Sequence, residues 1–187
     1  MPRDFNHEIL QEIKHRWSPR AFSAEPVAEE DVLALLEAAR FAPSCYNEQP
    51  WRFIVARTPR DLASMQSLLA EQNHAWAHRA PVLILLLAKR TFTQDGQENY
   101  WHMFDTGTAW GYLSLEAQRR GLISHAMGGF SRKRAVALYN LPPDIVPMAV
   151  VAIGKPGDAA LLTPELRERE RPGLRKPLQT LLGDFTV

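Results

Sequence analysis

A short basic loop near the N-terminus is the first stretch of this sequence that could do chemistry. Residues 16–20 read RWSPR. Guanidinium groups bind phosphate through two parallel hydrogen bonds, and a serine hydroxyl adds a neutral donor. The loop could therefore hold a phosphate. The same five residues, taken alone, are also compatible with a solvated basic turn.

A second candidate is the proline-punctuated stretch at residues 42–53, which reads APSCYNEQPWRF. It is rich in turn formers, so without further context it is equally compatible with a purely structural loop. Cys45 is the one cysteine of the chain. No histidine or acid is placed beside it in sequence, so we interpret Cys45 as a small filler and not as a nucleophile.

Two further segments owe their interest to glycine. Residues 127–130 (MGGF) follow a short apolar stretch, and glycine allows a backbone to approach a ligand closely. Gly107 and Gly111 lie four residues apart in a long helical pattern, where each costs roughly 1 kcal/mol relative to alanine. Close packing against another helix would offset that cost.

The common catalytic patterns are missing from the sequence. There is no Gly-rich phosphate loop of the Walker or dinucleotide type, no nucleophile elbow and no HExxH. Cysteine and histidine spacing predicts no metal site. If the protein is an enzyme, we expect a bound cofactor to carry the chemistry.

These segments, in this order, resemble the FMN-dependent nitroreductase family of flavoenzymes. The resemblance extends over almost the whole chain through separate motifs. The matching segments are residues 16–20 (R-x-S-x-R/K in the family), 42–53 (APS-x-x-N-x-QPW-x-F), 105–122 (a core helix beginning D-x-G-x-A), 127–130 (a loop over the flavin) and 175–178 (a closing RKPL).

The resemblance implies a set of FMN-binding residues. They are Arg16, Trp17, Ser18, Arg20, Pro43, Ser44, Asn47, Gln49, Met127, Gly128, Gly129 and Arg175. By the same resemblance, Pro43, Ser44 and Asn47 line the flavin of the partner subunit. Arg20 would also stabilise the negative charge of reduced flavin. Several relatives carry an acid at the position of Gly128, so only backbone contacts are expected there.

The tail and one aromatic stretch complete the expected site. With Arg16 and Arg20, Arg175 would supply a third positive charge for a phosphate carrying about two negative charges. His74, Trp76 and His78 are expected on the substrate side, where family members bind the electron acceptor. A lone histidine is more often a surface or satisfied residue, so these three are the weaker part of the prediction.

The resemblance further implies a homodimer that exchanges its tails and binds FMN in each site. NAD(P)H would donate hydride, and a nitroaromatic, quinone or related small acceptor would then replace it in a ping-pong reaction. Two alternatives stay open. One is a flavoenzyme of different chemistry on the same scaffold, such as a reductive dehalogenase, enone reductase or flavin-fragmenting enzyme. The other is a non-catalytic FMN-binding module.

The composition of the chain bears on nucleic-acid binding, on membrane association and on the cell compartment. Across 187 residues, 22 Lys and Arg nearly balance 21 Asp and Glu, for a formal net charge of +1. No field of one sign is therefore available to recruit nucleic acid or an anionic membrane. The longest apolar run, residues 82–88, is too short to span a bilayer as a helix. One cysteine and no signal-like N-terminus favour the cytoplasm.

Hydrophobic periodicity predicts helices that interleave with about four short strands in a single domain, residues 1–187. The fold class is therefore α+β, with mixed layers, and the family implies a central, mostly antiparallel sheet flanked by helices. Strand order cannot be predicted from the pattern. Helices are expected near residues 5–15, 29–41, 59–69, 98–120 and 132–139, and strands near 52–56, 82–88, 123–126 and 146–153.

Overall fold

A four-stranded sheet and seven helices make up the fold, which the computed structural model describes for residue 3 and residues 5–183. The helices are α1 (Gln11–His15), α2 (Glu29–Arg40), α3 (Pro59–Gln66), α4 (Glu71–Ala77), α5 (His102–Arg119), α6 (Arg132–Tyr139) and α7 (Pro164–Glu168). The strands are β1 (Trp51–Ala56), β2 (Val82–Lys89), β3 (Ile123–Met127) and β4 (Ile145–Gly154). Short 3₁₀ turns lie at Cys45–Asn47, Ala159–Leu161 and Leu178–Leu181.

The sheet has the order β1-β2-β4-β3, and every neighbouring pair is antiparallel. In the register, Leu83 of β2 pairs with Ala56 of β1 on one side and with Ala152 of β4 on the other. One irregularity interrupts the β2–β4 ladder between Leu86 and Leu87. The predicted α+β class with an antiparallel sheet is confirmed.

Strand β2 explains why the core has two halves. Side chains alternate between the two faces of a strand. Leu83, Leu85 and Leu87 accordingly belong to one buried cluster, whereas Val82 and Ile84 belong to another. The run at residues 82–88 is apolar at every position, which is typical of a strand covered on both faces, and the structure confirms the predicted strand there.

Helices α2 and α5 cover one face of the sheet together. Leu35 of α2 is buried with Ala109 and Leu113 of α5. Three acids open α2, where the positive end of the helix dipole favours them, and the helix ends at Arg40. Its predicted span and its predicted stop near Phe41 are confirmed.

The first helix is shorter than its pattern predicts. The apolar spacing predicts a helix over residues 5–15, but the structure is helical only over Gln11–His15. Phe5, Leu10 and Ile13 are all exposed. Helical segments are marginal without packing, and residues 5–10 do not form a helix in the described chain.

The prediction for α5 is wrong in one respect. The pattern predicts a helix buried on several sides, but in the described chain Trp101, Phe104 and Tyr112 are 55%, 71% and 42% exposed. The helix is buried along one face and open along the other. Gly121, with φ of 68°, follows the helix end, as the predicted glycine cap requires.

Helices α4 and α7 are absent from the sequence prediction. Both are short, and α4 lies in a polar stretch in which only Trp76 and Ala77 are buried. Helix α7 begins with a Thr163 side chain that accepts the Leu166 N–H at 3.4 Å. One-turn helices carry too few apolar positions for periodicity to reveal them.

The segment after the basic loop is locked to the end of β4. The Ser23 N–H donates to the Lys155 carbonyl at 3.0 Å, and the Gly157 N–H donates to the Ala21 carbonyl at 2.8 Å. A Cβ on Gly157 would collide with the Phe22 carbonyl carbon. Glycine is therefore required where these two segments cross. The crossing fixes the position of the chain that follows residues 16–20.

Candidate functional site

Six arginines from three distant parts of the chain surround one cavity of about 330 Å³. We call it the arginine cavity. Its lining residues are Arg3, Arg16, Trp17, Ser18, Arg20, His125, Arg169, Arg171, Gly173 and Arg175. The N-terminus, the predicted basic loop and the tail thus meet at a single concentration of positive charge.

Glu170 ties the tail to the basic loop. One carboxylate oxygen of Glu170 accepts the N–H groups of Arg20 and Ala21 at 2.7 and 2.8 Å. Its other oxygen lies 3.9 Å from an Arg20 guanidinium nitrogen. Charge-assisted bonds of this kind are stronger than neutral ones. Glu170 therefore sets the position of both Arg20 and the tail residues beside it.

Arg3 closes the cavity from the N-terminal side. Its guanidinium donates to the Arg16 carbonyl at 2.7 Å and to the Lys14 carbonyl at 3.3 Å. Those bonds hold the chain between α1 and the basic loop. Arg3 therefore adds positive charge to the cavity and also orients the backbone of Arg16.

Burial and neighbouring positive charges disfavour the charged forms of Arg16 and Arg20. Burial lowers the pKa of Arg16, and the positive charges of Arg175 and Arg3 lower it further. Burial likewise lowers the pKa of Arg20, followed by the charge of Arg169, while Glu170 acts in the opposite direction. Guanidinium groups stay charged even so, and a bound anion would relieve this repulsion.

His125 on β3 forms part of the cavity wall. Its Nδ1 lies 2.9 Å from the Pro19 carbonyl, so that nitrogen carries the proton and donates. The imidazole also packs on the Trp76 indole, with ring centroids 4.5 Å apart. Burial lowers the pKa of His125, and Arg20 lowers it further, against the raising effects of the Pro19 bond and Glu170.

The lowered pKa of His125 predicts a pH-dependent stability. In the native protein the ring stays neutral at a pH where the unfolded chain, with a pKa of about 6.5, already binds a proton. The free energy of unfolding should therefore fall as the pH drops below about 6.5. Urea unfolding at about pH 7.5 and about pH 5.5 should show a smaller loss for His125→Asn than for wild type. Equal losses would contradict the assignment.

The loop over residues 43–49 lies outside the arginine cavity and is held in a strained conformation. Tyr46, Asn47 and Gln49 have φ of 49°, 56° and 52°, values that cost non-glycine residues of order 1–3 kcal/mol each. The Ser44 hydroxyl oxygen accepts the Gln49 N–H at 3.0 Å. Backbone strain of this kind concentrates at functional sites.

Helix α5 and strand β2 hold this strained loop in place. The buried Asp105 carboxylate accepts the Cys45 N–H at 3.1 Å. Glu48 accepts the Thr93 N–H at 2.9 Å and lies 3.4 Å from the Lys89 ammonium. Pro43 and Asn47 are consequently presented at the surface with their backbone fixed.

The end of β3 forms a second fixed loop. Met127 is buried, whereas Gly128 and Gly129 are exposed. The Gly129 carbonyl accepts the Ala70 N–H and an Asn73 amide N–H, both at 3.0 Å. A Cβ on Gly129 would lie 2.8 Å from the Asn73 amide nitrogen. The exposed part of this loop is therefore backbone, as its glycines predict.

The three residues expected on the substrate side occupy two environments. His74 and His78 are exposed on and just after α4, with ring centroids 5.7 Å apart. Trp76 is 2% exposed and stacks on Phe22 in the core. The structure thus leaves the two histidines open to a small molecule, and the Trp76 ring serves packing.

The structure brings together only part of the predicted site. Arg16, Trp17, Ser18, Arg20 and Arg175 meet at the arginine cavity. The segments 43–49 and 127–129 do not line this cavity. Sequence reasoning missed further cavity residues, and only the alternating charges of the tail hinted at some of them. The missed residues are Arg3, His125, Arg169, Glu170 and Arg171.

Two other kinds of site find no support in the described part of the chain. Residues 3 and 5–183 contain no group of three or more His, Cys, Asp or Glu side chains placed to hold a metal ion. Of the helices described, none is both long and apolar enough to cross a membrane.

Comparisons with known proteins agree with the fold and the motifs. The "NADH dehydrogenase" of Thermus thermophilus is 30% identical over 174 residues, covering 76% of this chain and 84% of that protein. The "FMN reductase [NAD(P)H]" of Bacillus subtilis is 25% identical over 177 residues, covering 86% and 70%. A solved structure described as an oxidoreductase containing FMN superposes with a TM-score of 0.93 at 34% identity, covering 98% and 95%.

A family model gives the same assignment over most of the chain. The model of the nitroreductase family matches residues 13–155, which include the basic loop, the strained loop and the whole sheet. The resemblance drawn from the motifs is thereby confirmed. This chain belongs to the nitroreductase family.

Proposed function

We propose that this protein is an NAD(P)H-dependent FMN oxidoreductase whose arginine cavity holds the FMN phosphate. The observation that carries the proposal is the convergence of Arg16, Ser18, Arg20 and Arg175 on one cavity. The names of similar proteins support the same cofactor and donor. Bound FMN would accept hydride from the donor and pass reducing equivalents to an acceptor.

The donor set fits the phosphate of FMN. Guanidinium groups and a hydroxyl are the side chains best suited to a phosphate dianion. Burial lowers the pKa of Arg16, and the positive charges of Arg175 and Arg3 lower it further. A bound phosphate would neutralise these positive charges. The cavity of about 330 Å³ is large enough for a phosphate and part of its sugar chain.

Beyond the phosphate, the chain's own groups would orient the ring. We place Arg20 at the ring edge, where its charge would stabilise a reduced, anionic flavin. Glu170 fixes the backbone of Arg20. The exposed peptides of Gly128 and Gly129 can approach a planar ring closely. His74 and His78 would line the acceptor side. Both are exposed and lie close in sequence to Asn73, whose side chain donates a hydrogen bond to the Gly129 carbonyl.

A homodimer is part of this proposal. The exposed residues Trp101, Phe104 and Tyr112 share one face of α5 with Gly107 and Gly111. A Cβ at either glycine would meet nothing within 4 Å in the described chain. The open face therefore suits a second helix that packs closely. The strained loop would then reach the partner's flavin, and the exposed tail leucines, Leu174, Leu178, Leu181 and Leu182, would exchange between subunits.

The acceptor and the cell compartment are also proposals. We infer a ping-pong reaction in which donor and acceptor use one ring face in turn, with nitroaromatics, quinones or related small molecules as acceptors. The open surface at His74 and His78 supports access for such molecules. Cys45 is a free thiol, which supports a reducing compartment such as the cytoplasm.

One anaerobic experiment tests the proposed function. Purified protein should carry FMN, and NADH or NADPH should bleach its visible absorbance; nitrofurazone or a quinone should then restore the colour. Bound flavin that neither donor bleaches would favour the non-catalytic module. Bleaching with reoxidation only by halogenated or enone acceptors would favour a different chemistry on the same scaffold. Protein without flavin would contradict the proposal.

A further inference from the structure

The arginine cavity holds more positive charge than an FMN phosphate requires. Six guanidiniums line it. In the described part of the chain, the only one with an ion-pair partner is Arg20, which faces Glu170. An FMN phosphate would add about two negative charges, so about three positive charges would remain. Arg169, Arg171 and Arg175 are exposed, so the positive charge that remains is open to a second anion from solution.

The surplus charge lies on the tail side of the cavity. A second cavity of about 390 Å³ is lined by Arg169, Arg171, Pro172, Gly173 and Leu174. We call it the tail cavity. Arg169, Arg171 and Gly173 line both cavities, so the two spaces adjoin. The two arginines stand at their common wall, beyond the four residues assigned to the FMN phosphate.

Local hydrogen bonds hold the backbone of these two arginines in place. The Arg171 N–H donates to the Arg169 carbonyl at 2.9 Å, which closes a tight turn around Glu170. Glu170 in turn anchors the turn to the N–H groups of Arg20 and Ala21. The turn thus fixes the backbone from which two neighbouring guanidinium groups extend, and guanidinium groups suit phosphoryl oxygens.

We propose that Arg169 and Arg171 bind a phosphoryl group of the nicotinamide dinucleotide donor, beside the phosphate of FMN. This inference rests on the proposed function. The donor must approach bound FMN, and it is the reactant that brings further phosphoryl groups to this position. The group is either the pyrophosphate, which NADH and NADPH share, or the 2′-phosphate, which NADPH alone carries.

The test is anaerobic reduction of the FMN-loaded protein at increasing donor concentration. In R169A/R171A the half-saturating concentration of NADPH should rise roughly tenfold or more, because hydrogen bonds between charged groups are each worth about that much. An equal rise for NADH identifies the pyrophosphate, and a rise for NADPH alone identifies the 2′-phosphate. R169K/R171K should recover part of the loss.

Arg167→Ala is the matched control, since Arg167 lies on α7 two residues before Arg169 and lines neither cavity. Half-saturating concentrations in R169A/R171A that equal those of Arg167→Ala for both donors would overturn the inference. So would a loss of FMN affinity with donor saturation unchanged, since the arginines would then serve FMN alone.

A measurement on wild type keeps the inference testable if the double variant does not fold. Inorganic phosphate should compete with the donor, raising its half-saturating concentration without lowering the limiting rate of reduction. Phosphate that does not compete would overturn the inference while leaving the proposed function intact. If neither donor reduces the wild-type flavin at all, the proposed function fails, and the inference fails with it.

Discussion

Replacing Arg16 and Arg20 together with alanine is expected to release FMN from an otherwise folded protein. The dissociation constant for FMN should rise roughly a hundredfold or more, since two hydrogen bonds between charged groups are lost. The variant should therefore be purified without colour. Fluorescence titration of the apo-protein with FMN measures the change directly.

The melting temperature of the apo-protein distinguishes a loss of FMN binding from a loss of folding. Burial and neighbouring charges lower the pKa of both arginines, so the apo-protein holds them at a cost. Removing the two charges relieves that cost but also removes the Arg20 partner of Glu170, so the melting temperature of the apo-protein should change little. A variant that loses FMN because it unfolds would instead show a much lower melting temperature.

Arg134→Ala is a suitable control, because Arg134 is exposed on α6 and its side chain takes no part in the cavity. This change removes one positive charge away from the cavity and should leave FMN affinity within about twofold of wild type, as surface substitutions generally do. A double variant of Arg16 and Arg20 that stays yellow through purification would remove the arginine cavity from the flavin site.

The parts of the fold that sequence predicts well are those specified by local pattern. The apolar run of β2 predicted a central strand because each of its faces meets a different layer. Helices α2 and α6 occupy their predicted ranges because both carry clear signals for start and stop. Local signals of this kind depend only on neighbours a few residues away.

The cavity could be predicted only in part, because its other members are brought in by distant contacts. Glu170 bonds to Arg20 across 150 residues, and His125 bonds to Pro19 across 106. No pattern near Glu170 distinguishes it from the other acids of a charged tail. Trp76 shows the converse case, since its place beside two exposed histidines gave no sign that its ring lies in the core.

The largest difference from the sequence prediction is the exposure of helix α5 in the described chain. Helix α5 was expected to be buried on several sides, and the single chain buries only one. At helical spacing, Phe104 falls on the side of α5 opposite the buried Leu113, and Trp101 and Tyr112 lie beside Phe104. An exposed aromatic face of this size marks an interaction surface, so the original pattern agrees with a helix that is buried in a dimer.

Phe104→Asp is therefore expected to convert a dimer into monomers. A carboxylate placed in an apolar interface without a partner costs several kcal/mol, enough to raise the dimer dissociation constant at least roughly a thousandfold. Light scattering of wild type and variant at equal concentration measures the change. Leu138→Asp on α6 introduces the same charge at another exposed apolar position and should leave the mass unchanged.

The same substitution should also weaken FMN binding, although Phe104 is not part of the arginine cavity. The neighbouring residue Asp105 holds the strained loop through the Cys45 N–H, so that loop is carried by the proposed interface. Its residues Ser44 and Asn47 would then contact flavin only across a dimer. Monomers that retain FMN with wild-type affinity would overturn the assignment of these residues to the partner's site, and a variant that remains dimeric would move the interface away from α5.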